Sequence, residues 1–260
     1  MKVCILGATG NVGRRLLTRA LSDGHQVTAV VRNAKLLDVL HSDNLTIKEI
    51  DFDIAEDLSD VMTGHDAVIN AAGNVGDTQN FTTLVERIIR AADAALGPSS
   101  RFWMFAGAAL LDVPDTSTMT LDLPGVPKIY GGHFTNYKVV QTTQLDWSVL
   151  CPGPMIGSPD GTATEGLIVS ANEWPLERPF YTRFLPKAGM SIAFKFAIPR
   201  LTIYYEDAAK VVLDNLASNS RYSHCRVGVA LPEGQTRRKS FNLVQSDGAG
   251  HAKVENYIHR

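Results

Sequence analysis

Lys2-Val3-Cys4-Ile5-Leu6-Gly7-Ala8-Thr9-Gly10-Asn11-Val12-Gly13 is the stretch that decides the fold. Five residues with a β-branched, apolar bias read as a strand that ends at Gly7. Val12, Leu16, Ala20 and Leu21 then recur at helical spacing until Gly24 stops the helix. Three glycines three positions apart therefore sit in a strand-to-helix turn. There the first permits a tight turn, the second lets the backbone approach a pyrophosphate, and the third allows the helix to pack closely on the strand. The free N–H groups of the helix start favour an anion at that point. Gly7, Thr9, Gly10, Asn11, Val12 and Gly13 are accordingly expected to hold the pyrophosphate of a dinucleotide.

Working outward, residues 26–31, 45–50, 67–69, 101–105 and 147–151 are further short runs with strand character, separated by polar or helical stretches. Between 77 and 96, Phe81, Leu84, Val85, Ile88, Ile89 and Ala92 follow a period of 3.6 and predict a long amphipathic helix. Residues 133–144 predict another, and Glu206 and Asp207 open a third that runs through Leu216, their carboxylates favourable at its N-terminal dipole. Strands alternating with helices imply a parallel sheet. The expected fold is an α/β, Rossmann-type doubly wound parallel sheet with a small C-terminal substrate lobe. Residues 1–155 form the dinucleotide-binding domain, 156–200 the lobe, 201–247 a returning helix and strand, and 248–260 a solvated tail. Trp174, Phe180, Tyr181, Phe184, Phe194 and Phe196 supply the lobe with aromatic rings for an apolar pocket, for core packing or for dimer contacts.

The strand ends carry the remaining cofactor signals. An acidic residue about 20 positions after the glycines would bind the adenosine ribose hydroxyls. Here the second strand ends in Val31-Arg32-Asn33. Arg32 offers a planar guanidinium suited to a 2′-phosphate, with the Asn33 amide beside it, so NADP(H) is expected over NAD(H). Asp53 and Ile54, after the third strand, are placed around the adenine, while Asp51 is expected to cap a helix starting near Asp57. Ala71, Ala72 and Gly73, after the fourth, are small enough for the cofactor to cross the sheet edge.

Composition excludes several classes. A formal charge of −2 offers no basic field for nucleic acid, and Arg237-Arg238-Lys239 reads as a solvated loop. Three scattered cysteines do not make a disulfide framework and are expected reduced. The opening residues lead directly into a strand without a signal-peptide pattern, and the most apolar stretch, 188–205, is broken by Lys195, Pro199 and Arg200. The expectation is a cytoplasmic protein without a membrane span, acting on a small molecule, with a homodimer compatible with the aromatic surface. His25, His41, His65, His224, His251 and His259 have no metal-ligand spacing, and no metal is expected.

Taken together, the glycine signature, Val31-Arg32-Asn33, Asp53-Ile54 and Asn70-Ala71-Ala72-Gly73 resemble the short-chain dehydrogenase/reductase superfamily, in its atypical NmrA-like or NAD(P)H-binding branch. Residues 145–155 resemble the sixth strand and following loop of that branch, which implies that Pro152, Gly153 and Met155 lie beside the nicotinamide. Residues 205–209 resemble its late helix start. Typical members carry Ser or Thr after the fifth strand and a Tyr-x-x-x-Lys pair on the next helix. This chain has Ala106-Gly107-Ala108-Ala109 at the first place, while Tyr137 is followed by Gln141 and Tyr130 by Phe134. The remaining catalytic candidates are His133 and Tyr137, one helical turn apart on one face, able to polarise a carbonyl and donate a proton. Three readings follow: an NADPH-dependent reductase of a quinone, flavin or carbonyl; a non-catalytic NADP(H)-sensing regulator; and an epimerase-like enzyme on a nucleotide sugar, disfavoured by the missing pair.

Overall fold

The computed structural model describes residues 1–37, 42–73, 78–177 and 186–238. Its strands are β1 (Lys2–Leu6), β2 (Gln26–Val31), β3 (Leu45–Glu49), β4 (Ala67–Asn70), β5 (Arg101–Phe105), β6 (Asp146–Cys151), β7 (Met155–Ile156), β8 (Ile168–Ala171), β9 (Ile203–Tyr204) and β10 (Cys225–Ala230). Eight of them form one sheet in the order β3-β2-β1-β4-β5-β6-β10-β8, parallel except for the edge strand β8, which runs antiparallel to β10. The order reverses between β1 and β4, and that reversal opens a crevice at the carboxyl ends of the strands.

The helices are α1 (Asn11–Ser22), α2 (Ala55–Met62), α3 (Thr78–Ala95), α4 (Gly131–Val140), α5 (Lys187–Leu201) and α6 (Tyr205–Leu213). Alternate side chains of each central strand feed two cores. On one face Cys4, Leu6, Val68, Phe102 and Met104 pack with Leu58 of α2, Ile88 of α3 and Val140 of α4. On the other, Val3, Ile5, Ile69 and Trp103 pack with Leu16 and Leu17 of α1 and Val212 of α6. Burial on both faces explains why β4 and β6 read as continuous apolar runs rather than alternating ones. At the amino edge, fully buried Arg101 donates to the Asp146 carboxylate at 2.7 Å and to the Ser148 and Ser220 hydroxyls, tying β5 to β6.

Two expectations change here. Residues 156–200 do not stand apart as a unit: β8 completes the main sheet, and β7 pairs with β9 beside it. The short apolar run of β8 lacked a helix before it, so no βα rhythm announced it. Trp174 is buried against Phe194 at 5.2 Å, whereas Phe196 is exposed; Phe180, Tyr181 and Phe184 lie outside the described residues, as does the 248–260 tail. The second change concerns Arg237. It is not a solvated loop residue: its guanidinium lies 3.5 Å from the Tyr204 ring centroid and donates to the fully buried Asp207 carboxylate. That carboxylate, at the start of α6, also accepts the Tyr204 and Thr164 backbone N–H groups. Among the described residues no helix is long and apolar enough to cross a membrane.

Candidate dinucleotide and substrate site

The glycine turn closes as its sequence requires. Gly7 has φ +78°, a left-handed conformation, and a Cβ on it would meet the Ala72 backbone at 2.7 Å. A Cβ on Gly13 would lie 2.1 Å from the Gly7 carbonyl oxygen, so α1 can approach β1 only through glycine. Gly10 is the N-cap of α1 and has no side-chain cap, which leaves the first-turn N–H groups turned towards a ligand. Thr9, Asn11 and Val12 complete this cradle, and the Asn11 amide also reaches the Tyr205 hydroxyl at 3.4 Å. A turn whose side-chain volume is removed at three successive contact points, with unshared N–H donors above it, fits a pyrophosphate.

Around the cradle the strand ends converge as expected of a dinucleotide cleft. Arg32 and Asn33 are exposed at the end of β2, and the Asn33 amide oxygen accepts the Lys35 N–H. Ala71, Ala72 and Gly73 follow β4, with the Ala72 N–H held by the Asn70 side chain and Gly73 at φ +136° against the Phe81 ring. On the third strand the details differ from expectation. Asp51 accepts the Asp53 N–H in a local turn rather than capping α2, which begins at Ala55 with Ile54 as its N-cap. The Asp53 side chain is 84 % exposed and ion-paired to Arg87 of α3. Pro152, Gly153 and Met155 follow β6: the Pro152 carbonyl accepts the Ala108 N–H, a Cβ on Gly153 would meet the Leu201 carbonyl oxygen at 2.6 Å, and Met155 pairs with Ile203.

The carboxyl end of β5 carries the candidate chemistry. His133, only 8 % exposed, stacks parallel to Tyr130 at 6.3 Å and edge-on to Phe81 at 5.0 Å. Gly107 faces it: a Cβ there would lie 3.8 Å from both His133 Nε2 and the Tyr130 ring. His133 Nδ1 is buried without a hydrogen-bond partner, as are both amide atoms of Asn136 one turn further along α4. Burial pushes the His133 pKa down to about 4, so the ring is neutral near pH 7 and does not titrate in the physiological range. Tyr137 is not brought to the same group. Its hydroxyl accepts a hydrogen bond from Gln141 at 2.9 Å, its ring packs edge-on against Trp147 at 5.8 Å, and the Arg226 guanidinium lies over it. Burial raises its pKa, with Arg226 opposing. Neighbours on α4 at i, i+4 diverge here because His133 faces α3 and the end of β5 while Tyr137 faces β6 and β10.

Two arginines of the site were not legible from spacing alone. Arg87 lies mid-helix and only the fold carries it to Asp53. Arg14, directly after the third glycine, donates from Nε to the Thr9 carbonyl at 2.9 Å and places Nη2 3.4 Å from the Leu36 carbonyl.

The reversed strand order, the glycine cradle and the converging strand ends define a Rossmann-fold, dinucleotide-binding protein. Residues 7–174 match the model of the NAD(P)H-binding family, and the chain belongs to that family. It is 32 % identical over 161 residues to the uncharacterized protein YwnB of Bacillus subtilis, a match covering 58 % of this chain and 71 % of that one. It is 30 % identical over 122 residues to the photosystem II assembly factor Ycf39 of Cyanidium caldarium, covering 45 % of this chain and 39 % of that protein. Among solved structures, a candidate NADH-flavin reductase of Streptococcus pneumoniae superposes with TM-score 0.67 at 25 % identity, over 89 % of this chain and 99 % of its own. A short-chain dehydrogenase/reductase of Veillonella parvula in complex with NADP superposes with TM-score 0.65 at 16 % identity, over 92 % and 99 %, which speaks to the fold alone.

Proposed function

We propose that this protein is a cytoplasmic NADPH-dependent oxidoreductase that reduces a quinone, flavin or carbonyl compound. The observation that carries the reading is the Gly107–His133–Tyr130 group at the carboxyl end of β5. Gly107 has φ −130° and ψ 159°, a backbone any residue adopts, and a Cβ on it would make only ordinary contacts. Neither backbone nor packing requires glycine there, and in this reading the acceptor approaches the side of Gly107 where a side chain would otherwise stand, edged by His133 and Tyr130. When bound, the reduced nicotinamide supplies a hydride. The chain's own contribution is positional: Gly107 presents no side chain, Tyr130 and His133 flank the acceptor, and neutral His133 donates a hydrogen bond to the acceptor atom. Because burial leaves the His133 imidazolium scarcely populated at pH 7, the proton that balances the hydride comes from solvent. Acceptors whose reduced forms take up protons readily, quinones and flavins, suit this site better than simple ketones. In this reading Tyr137 is a packing residue.

Cofactor contacts are assigned to Gly7, Thr9, Gly10, Asn11, Val12 and Gly13 for the pyrophosphate, and to Arg32 and Asn33 for the adenosine end. Asp53 and Ile54 flank the adenine, Ala71, Ala72 and Gly73 line the crossing, and Pro152, Gly153 and Met155 border the nicotinamide. Titration with NADPH and NADH, followed by loss of NADPH absorbance with a panel of quinones, flavins and aldehydes, tests the reading. Oxidation by at least one acceptor class supports it. Tight NADPH binding without oxidation by any acceptor moves the assignment to the second reading, a non-catalytic NADP(H)-sensing protein. The absence of a hydroxyl at 106–109 and the enclosure of the Tyr137 hydroxyl by Gln141 favour that second reading.

A further inference from the structure

Helix α5 is apolar on two sides, whereas a helix lying on the surface of a globular protein ordinarily turns a polar face to solvent. Its inner side is accounted for. Met190 and Leu201 are buried, Phe194 packs on Trp174 at 5.2 Å, and the Ser191 hydroxyl donates to the Pro124 carbonyl in the loop between β5 and α4. The outer side carries Ala188, Ile192 and Phe196 in successive turns. Ile192 is 56 % and Phe196 80 % exposed, the two most exposed large apolar side chains among the described residues. Apolar residues scattered singly over a surface are ordinary, but two in consecutive turns of one helix make a stripe.

The charge beside that stripe has one sign. Lys187 and Lys195 are exposed on α5, and no acidic residue occurs between Glu177 and Glu206, although acids fill 27 of the chain's 260 positions. The Arg237 N–H donates to the Pro199 carbonyl at 2.8 Å, which carries the exposed Arg238 next to the last turn of α5. That returning segment, 231–238, holds one acid, Glu233. An apolar stripe flanked by cations matches an apolar layer with an anionic surface. A second copy of the chain matches it less well, since two-fold pairing of α5 sets cations against cations.

We propose that α5 docks this protein onto an anionic lipid surface. Ile192 and Phe196 enter the boundary between headgroups and acyl chains, while Lys187, Lys195 and Arg238 face the lipid phosphates. The attachment is peripheral and reversible, and it stands independently of the reaction proposed above.

The full chain is mixed with vesicles of phosphatidylcholine alone, or of phosphatidylcholine with about a third phosphatidylserine, and the bound fraction is read by flotation. Wild type floats with the anionic vesicles, and added salt weakens that binding. The double variant Ile192→Ser, Phe196→Ser lowers the partition at least about tenfold, because two apolar side chains no longer leave water. The double variant Lys187→Gln, Lys195→Gln lowers it about fivefold or more. All four side chains are exposed, so both variants keep the wild-type melting temperature. Absence of wild-type binding, equal binding to the two kinds of vesicle, or undiminished binding by either double variant overturns the proposal. A wild type that ignores both vesicles and sediments as a dimer that Phe196→Ser dissociates gives the face to a second copy instead.

Discussion

At Gly13 an added methyl group would sit 2.1 Å from the Gly7 carbonyl oxygen, whereas at Gly107 it would meet nothing nearer than 3.7 Å. Two glycines of one chain are therefore required for different reasons, and substitution separates them. Gly13→Ala displaces α1 from β1, and we expect NADPH binding to fall below detection together with a lowered melting temperature. Gly107→Val leaves the melting temperature within a few degrees and NADPH affinity unchanged, while KM for a quinone or flavin rises at least about tenfold. Unchanged kinetics in Gly107→Val would remove the acceptor from that position. His133 adds a pH dependence. Its folded pKa of about 4 lies below the ordinary histidine value of 6.5, so the unfolded chain binds a proton that the native chain refuses. Stability from this group is complete above about pH 6.5 and is lost as pH falls towards about 4. His133→Gln should flatten the slope of denaturation midpoint against pH in that window. Tyr137→Phe, by contrast, removes a hydroxyl that touches only Gln141 among the described residues, and turnover should stay within about twofold.

Elements are joined at the amino edge of the sheet by chemistry that has no part in the site. Arg101 opens β5 and Asp146 opens β6, and both are buried in a direct ion pair, with the Ser148 hydroxyl accepting a second bond from Arg101. Removing one partner leaves an unpaired buried charge, so Asp146→Ala should cost about 3–5 kcal/mol in urea unfolding. The double replacement Arg101→Met, Asp146→Leu should recover much of that loss, since the desolvation of both charges disappears together. A cost under about 1 kcal/mol for the single variant would show that the pair is solvated in solution. NADPH affinity should be unaffected by either change, because the edge lies at the opposite end of the strands from the glycine turn.

The proposed cofactor residues gather at the carboxyl ends of the strands, where the strand order reverses between the paired β1 and β4. Binding there couples to global stability. NADPH at 100 times its dissociation constant should stabilise the chain by about 2.7 kcal/mol, a rise of about 5–10 °C in melting temperature for a chain of this size. NADH at the same concentration should give a clearly smaller shift. Equal shifts would contradict a 2′-phosphate subsite at Arg32.

The sequence by itself determined the fold class and the NAD(P)H-binding character, and it supplies the residues proposed for the pyrophosphate and the adenosine end. Those depend on local signals: glycine where a Cβ cannot fit, apolar periodicity, and the residue type at the end of β2. It also exposed the missing serine and Tyr-x-x-x-Lys pair. Only the tertiary structure decided the rest, because the deciding contacts join residues far apart in the chain. Nothing local pairs Arg15 and Arg19 until Glu206 of α6 and Asp214 just beyond it arrive to neutralise them. Nothing local turns Ile168–Ala171 into the edge of the main sheet until β10 is beside it. His133 and Tyr137 share a helix face in sequence, yet His133 packs against Phe81 of α3 and Tyr137 against Trp147 of β6.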